Sequence, residues 1–209
     1  MTRTNRRFAL LGFAAAGLST ICLVGTALSQ GTRTGAHEED SYFPLSVGNW
    51  WLYKCSGHSQ LAGKTQRWTV TDKAVHEASP DYYLSPRPSL GQDSPLVLSR
   101  LRDGIVEAGD RFLLKYPIRI GNRWSSKSNM YGAEGELDVF EVVSAGRPCL
   151  VGTRSFDDCV TVRETDEGAS LFLLTTYARG VGPVKYVYFE DVHFRAIEST
   201  LTIESWAVP

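Results

Sequence analysis

Phe43-Pro44-Leu45-Ser46-Val47-Gly48-Asn49-Trp50-Trp51 returns 73 residues later as Tyr116-Pro117-Ile118-Arg119-Ile120-Gly121-Asn122-Arg123-Trp124. The shared pattern is aromatic, Pro, aliphatic, any, aliphatic, Gly, Asn, any, Trp. Proline fixes its own backbone angle and disfavours helix in the residue before it, so Phe43 and Tyr116 are expected to enter extended. Gly followed by Asn tolerates left-handed backbone, and the Asn amide can bond nearby main chain. The Trp two places on begins the next strand and anchors it by burying a large apolar surface. The stretch therefore predicts two equivalent β corners. Pro44, Gly48, Asn49 and Trp51 build the first, and Pro117, Gly121, Asn122 and Trp124 build the second. The two corners divide residues 42–209 into related sub-halves, about 42–114 and 115–209, within a single β domain.

Outward from the corners, the chain reads as short extended runs broken by turn residues. Arg67 to Thr71 sets Trp68 and Val70 against Thr69 and Thr71, the period of a half-buried strand. Leu96 to Arg102, Asp103-Gly104 and Ile105 to Ala108 form the clearest hairpin, since Asp-Gly suits a tight type I′ turn. Leu171-Phe172-Leu173-Leu174 is apolar on both faces and predicts a central strand. Ser85 to Pro95 holds three prolines and reads as a surface loop. No segment beyond the amino-terminal region keeps helical periodicity for three turns. With 19 glycines and 11% aromatic residues, this pattern predicts an all-β fold. About a dozen strands are expected, in an antiparallel curved sheet, sandwich or open barrel preceded by a helical signal segment.

Residues 1–29 read as a secretory signal peptide. Arg3, Arg6 and Arg7 precede 21 uncharged residues from Phe8 to Leu28, and Ala27-Leu28-Ser29 supplies a small-x-small cleavage site. An uncleaved membrane anchor is the rival reading, weakened by the Gly, Ala, Ser and Thr that dilute the run. Arg6-Arg7 ahead of Phe8-Ala9-Leu10-Leu11 resembles a twin-arginine signal, with Ala9 where a larger apolar residue is usual. Cys22 follows Ile21, whereas lipid attachment needs a small residue there. Residues 30–41 are polar and aperiodic and read as a flexible tether, so His37, Glu38, Glu39 and Asp40 have no fixed geometry for a metal. The expected location is outside the cytoplasm, periplasmic or extracellular, with membrane contact only through an uncleaved signal or lipid anchor.

Removing the three arginines of the signal leaves 19 basic residues against 23 acidic, a net charge of −4, which argues against nucleic acid as a partner. Cys149 and Cys159 flank a hairpin whose expected loop is Thr153-Arg154-Ser155. That register sets the two cysteines directly opposite, within bonding reach. An oxidising compartment then predicts a disulfide, with Cys55 left as a buried thiol on the face of Trp51 and Tyr53. The rival pairing joins Cys55 to one of the other two.

The chain also resembles a broad group of uncharacterised bacterial secreted proteins and lipoproteins. The resemblance rests on Tyr42-Phe43-Pro44-Leu45 through Trp51-Leu52-Tyr53, the Tyr116-Pro117 corner, Gly152-Thr153 with Phe156 to Val162, and Tyr177-Ala178-Arg179-Gly180-Val181-Gly182-Pro183-Val184-Lys185. These are turn and core residues, so the resemblance implies a fold and not an activity. Others in the group carry a lipid-attachment Cys that Cys22, with its Ile21 neighbour, does not match.

No nucleophile elbow, zinc-protease motif, phosphate loop or informative Cys-His spacing is present. Glu190, Asp191 and His193 supply too few ligands for a metal site, and no cofactor is expected. The leading expectation is a non-catalytic exported domain that binds a partner protein, an envelope component or an apolar ligand in the concavity of a curved sheet. Trp50, Tyr53, Trp68, Tyr186 and Tyr188 are the candidate binding residues. Trp50 stands out because its counterpart in the second corner is Arg123. The alternatives are an exported hydrolase of envelope polymers, dependent on His76 or His193, and a structural module of an envelope assembly.

Overall fold

A computed structural model describes residues 41–57, 62–75, 79–85, 95–107, 110–127, 137–166, 171–192 and 195–208. The signal segment, most of the tether, the body of the loop after Ser85, and all four histidines lie outside the described residues.

The described chain is almost entirely strand. The first half holds β1 (Trp50–Gly57), β2 (Thr65–Val75), β3 (Pro80–Ser85), β4 (Leu96–Leu101), β5 (Gly104–Glu107) and β6 (Arg111–Lys115). The second holds β7 (Arg123–Lys127), β8 (Leu137–Val151), β9 (Arg154–Asp166), β10 (Leu171–Ala178), β11 (Gly182–Val192) and β12 (Arg195–Ala207). They form one sheet of 12 antiparallel strands in the order β6-β5-β4-β3-β2-β1-β12-β11-β10-β9-β8-β7, a nearly closed barrel-like architecture. Each half is a six-stranded meander of sequential neighbours. The halves join through β1 and β12, paired from Trp50 opposite Ala207 to Gly57 opposite Ser199.

Period-two burial follows from the pleat. Trp51, Tyr53 and Cys55 of β1 are buried, as are Trp68 and Val70 of β2 and Leu201 and Ile203 of β12. Phe140, Val142, Val160 and Val162 continue the same core towards the other end of the sheet. β10 is paired on both sides, and Phe172 and Leu174 on its second face remain half-buried.

The two corners make matching hydrogen bonds. Asn49 Nδ2 donates to the Pro44 carbonyl and Asn122 Nδ2 to that of Pro117, each at 2.7 Å. The main-chain N–H of Asn49 donates to Ser46, and that of Asn122 to Arg119, each at 3.0 Å. Gly48 N–H donates to the Val70 carbonyl on β2 and Val70 N–H donates back to that of Asn49, as Gly121, Val142 and Asn122 do with β8. Both glycines hold positive φ, +94° and +86°. The fifth position of each, Val47 and Ile120, is exposed at 53% and 57%, so that aliphatic position is not a core requirement. The Tyr116–Pro117 bond is cis.

Three expectations need correction. The hairpin between β4 and β5 turns on Arg102-Asp103, with Leu101 opposite Gly104. Gly104 already belongs to β5, where a β-carbon would overlap the Leu114 carbonyl oxygen, so close strand approach explains it. In the β8–β9 hairpin, Val151 lies opposite Arg154 and Cys149 opposite Phe156, giving a two-residue turn at Gly152-Thr153. The disulfide Cys149–Cys159 is nevertheless formed, with α-carbons 5.9 Å apart. A register shift between Arg147 and Cys149 puts Arg147 opposite Cys159 and slides the cysteines back within reach. Ser41, placed at the end of the tether, belongs to the domain: its carbonyl accepts from Gly180 N–H at 2.7 Å.

Tyr42 fastens the same end. Its hydroxyl donates to Asp158 at 2.6 Å and accepts from Arg179 at 3.0 Å, while Arg179 Nε donates to Asp158 at 2.6 Å. The entrance to the first corner is thereby tied to β9 and to the β10–β11 turn.

Candidate functional site

The aromatic residues singled out by sequence do not form one site. Tyr53 and Trp68, 0% and 2% exposed, have no surface left for a ligand, which corrects their assignment as binding residues. Their rings pack at 4.5 Å and meet the half-buried Tyr186 at 5.8 and 5.1 Å. The Tyr53 hydroxyl is used internally, donating to the Pro183 carbonyl at 2.7 Å. Tyr186 and Tyr188 are packed against the core on β11. Trp50 lies on the opposite face, half-buried beneath the guanidinium of Arg67 at 4.3 Å. Its counterpart Arg123 is largely exposed, 3.8 Å from Glu141 on the partner strand.

A concavity of about 440 Å³ lies where the β8–β9 hairpin tip meets β1 and β12. Its wall includes Lys54 and Ser56 of β1, Thr202 and Glu204 of β12, and Gly152 and Arg154 of the tip. The hairpin reaches this place because β8 and β9 are long and the disulfide holds their ends together. Phe156 packs on Trp206 at 5.7 Å, and Arg154 lies 5.1 Å over the same indole and donates to the Glu204 carbonyl. The lining is mixed: the cations Lys54 and Arg154 lie beside the carboxylate Glu204, with Val151 and Ile203 among them. Nothing in the spacing of these residues signals their meeting, because the tip and β12 are joined by no ladder.

The second chemically unusual place is buried. Glu107 on β5, Arg111 on β6, Asp138 on β8 and Glu164 on β9 converge, with side chains no more than 9% exposed. Arg111 Nη1 donates to Glu107 at 2.5 Å and Nη2 donates to Glu164, while its Nε stands 3.7 Å from Asp138. The guanidinium also lies 5.3 Å from the Phe140 ring centroid. Burial pushes the Glu164 carboxyl up and Asp138 adds to this, against the pull of Arg111, leaving it at about 7. Burial opposes the Arg111 charge, but the carboxylates of Glu164 and Glu107 outweigh it and keep the guanidinium protonated. Among the described residues, no group of three His, Cys, Asp or Glu is arranged to hold a metal ion.

A signal for this cluster does exist in the sequence. Asp138 shares the buried phase of its strand with Phe140 and Val142, and Glu164 shares that of Val162. An acid at such a position is expected to need a buried partner.

No family model and no curated protein matches the chain. Two solved structures are similar in part. One is a protein from Bacteroides fragilis described as exported and of YmcC-like fold, 10% identical, with a TM-score of 0.43 over 79% of this chain and 98% of that one. The other, described as a lipoprotein, is from Parabacteroides distasonis, 13% identical, with the same TM-score and the same coverage.

Proposed function

We propose that the chain is an exported, non-catalytic β domain that binds a polar component of the cell envelope in the concavity beneath the β8–β9 hairpin tip. The observation that carries this reading is the hairpin itself, held by the Cys149–Cys159 disulfide, whose Arg154 lines the concavity together with Lys54, Ser56 and Thr202. An apolar ligand within the sheet has no support at Tyr53 and Trp68, which the core already covers. Catalysis at the buried carboxylates has none either, because side chains at most 9% exposed offer no surface to a substrate. Export rests on the arginines and uncharged run of residues 1–29 and agrees with the disulfide.

Native mass spectrometry of protein purified from its own envelope tests the reading. Added mass is expected on the wild-type protein and is expected to be lost in Ser56→Trp, which places an indole in the concavity from an exposed strand position. Bare protein in both cases, or the same added mass retained by the variant, would reject the concavity as the binding site.

A further inference from the structure

We propose that Glu164 and Asp138 hold one proton between them inside the closing seam of the sheet, and that its loss parts β6 from β7. The inference is independent of the hairpin concavity.

The first support is the count of charges. Three carboxylates, Glu107, Asp138 and Glu164, surround one guanidinium in a place closed to water. Fully ionised, they leave two uncompensated negative charges, which burial disfavours strongly. The second support is Asp138. It is 0% exposed, and neither of its carboxylate oxygens accepts a hydrogen bond from a fixed donor. Arg111 Nε, at 3.7 Å, is too distant to supply one and is itself without an acceptor. Asp138 nonetheless stands close enough to Glu164 to help push its carboxyl up. Two carboxylates can only accept, so a bond between these neighbours requires that one of them carry a proton. Glu164 is the natural carrier, since one of its oxygens already accepts from Arg111 and the other remains for the proton.

Titratable groups face Glu164 from four neighbouring strands. Tyr177 on β10 is held neutral, because burial and the nearby Glu164 push its phenol far up. Arg111 on β6 remains a cation. Glu107 on β5 and Asp138 on β8 complete the titratable groups around it.

The location gives the proton its consequence. β1 and β12 are joined by a ladder along the whole of β1, with one register shift between Leu52 and Tyr53, whereas β6 and β7, the two ends of the sheet, share no paired register among the described residues. Side chains do the joining there. Ser126 Oγ accepts from Phe112 N–H at 3.2 Å, and Trp124 Nε1 donates to the Phe112 carbonyl at 2.9 Å. Arg111 reaches across from β6 to Glu164 and Asp138. Deprotonation places two adjacent anions in this junction and is expected to open it while the laddered strands remain paired.

The test combines carbon-detected NMR of the Glu164 carboxyl with amide exchange at Phe112, Leu113, Trp124 and Ser125, corrected for intrinsic rate, from about pH 5 to about pH 8. Glu164 is expected to titrate near 7. Protection at those amides is expected to fall about tenfold more than at β3 and β4 across the same range. Glu164→Gln should retain the protection at high pH. Titration of Glu164 near 4.5, a uniform loss over the sheet, or an unchanged step in Glu164→Gln overturns the proposal. Should that variant not fold, Asp138→Asn decides: its amide donates to an ionised Glu164, so the carboxyl should titrate lower and the seam step should vanish, and persistence of the step overturns the idea.

Discussion

The indole nitrogen of Trp51 and the backbone of Gly182 meet so closely that a β-carbon on the glycine would stand 2.9 Å from Nε1. That nitrogen donates to the Val181 carbonyl at 2.6 Å, so the first corner's tryptophan is locked beneath the β10–β11 turn. Gly182→Ala introduces both this overlap and a side chain at φ +107°. A loss of about 3 kcal/mol in urea unfolding is expected, with red-shifted tryptophan emission in the native state.

The matching amides of the two corners differ in burial, which makes their substitution informative. Asn49 is 1% exposed and Asn122 half-buried. Asn49→Ala leaves the Pro44 carbonyl without its donor in a dry place, and about 2 kcal/mol is expected to be lost. Asn122→Ala should cost about 1 kcal/mol, since water can replace the amide. Chemical denaturation of both variants checks the order, and equal losses would contradict it.

Replacing Cys149 and Cys159 together by Ser is expected to lower stability by about 2–3 kcal/mol, the value for a loop of this length. The sequence separation is 10 residues. The tip should loosen first, seen as faster amide exchange at Leu150 to Ser155 than at β1 or β2. Cys55 is buried and its thiol is pushed up by burial, so it should stay unreactive to a disulfide reagent until the chain unfolds.

Two carboxyls shape the dependence of stability on pH in opposite directions. Glu164 is raised from 4.5 to about 7, so folding favours its protonated form. Its contribution is complete below about 4.5 and is lost as pH rises through about 7, at most about 3 kcal/mol. For Asp158, burial raises the carboxyl, but hydrogen bonds from Tyr42 and Arg179 and the Arg179 charge outweigh it and hold it below 3.8. That contribution is present above 3.8 and disappears as pH falls. Thermal melts should therefore show greatest stability in mild acid, and Glu164→Gln should remove the decline towards neutrality.

The corners, the alternating strands and the partners of the disulfide were legible in the sequence because each rests on local chemistry. Trp68 and Val70 display their period within four residues, and Gly48-Asn49 states its own turn. What escaped depends on relationships the spacing does not encode. The register shift beside Cys149 moves a pairing that a uniform ladder would place elsewhere. The Arg111–Glu164 contact joins residues 53 apart, and only the closing curvature of the sheet brings them together. Tyr53 and Trp68 drew attention as aromatics that could line the concavity of a curved sheet, and the packing of Tyr186 over them explains why they are core. The inward acids Asp138 and Glu164 were visible in phase with apolar neighbours, a departure from the pattern that identifies the seam.

The position of β12 carries a consequence for how the molecule comes into being. It is the latest of the described strands along the chain, yet it lies at the centre of the sheet between β1 and β11. Each meander can assemble from neighbours as it is made, but the two remain unjoined until residue 207 is available to pair with Trp50. Before that moment β1 presents an open edge, and after it the ends of the sheet are drawn together around Arg111. Emergence of β12 and closure of the sheet are therefore consecutive events, so a ribosome or export channel still holding β12 would withhold the folded state.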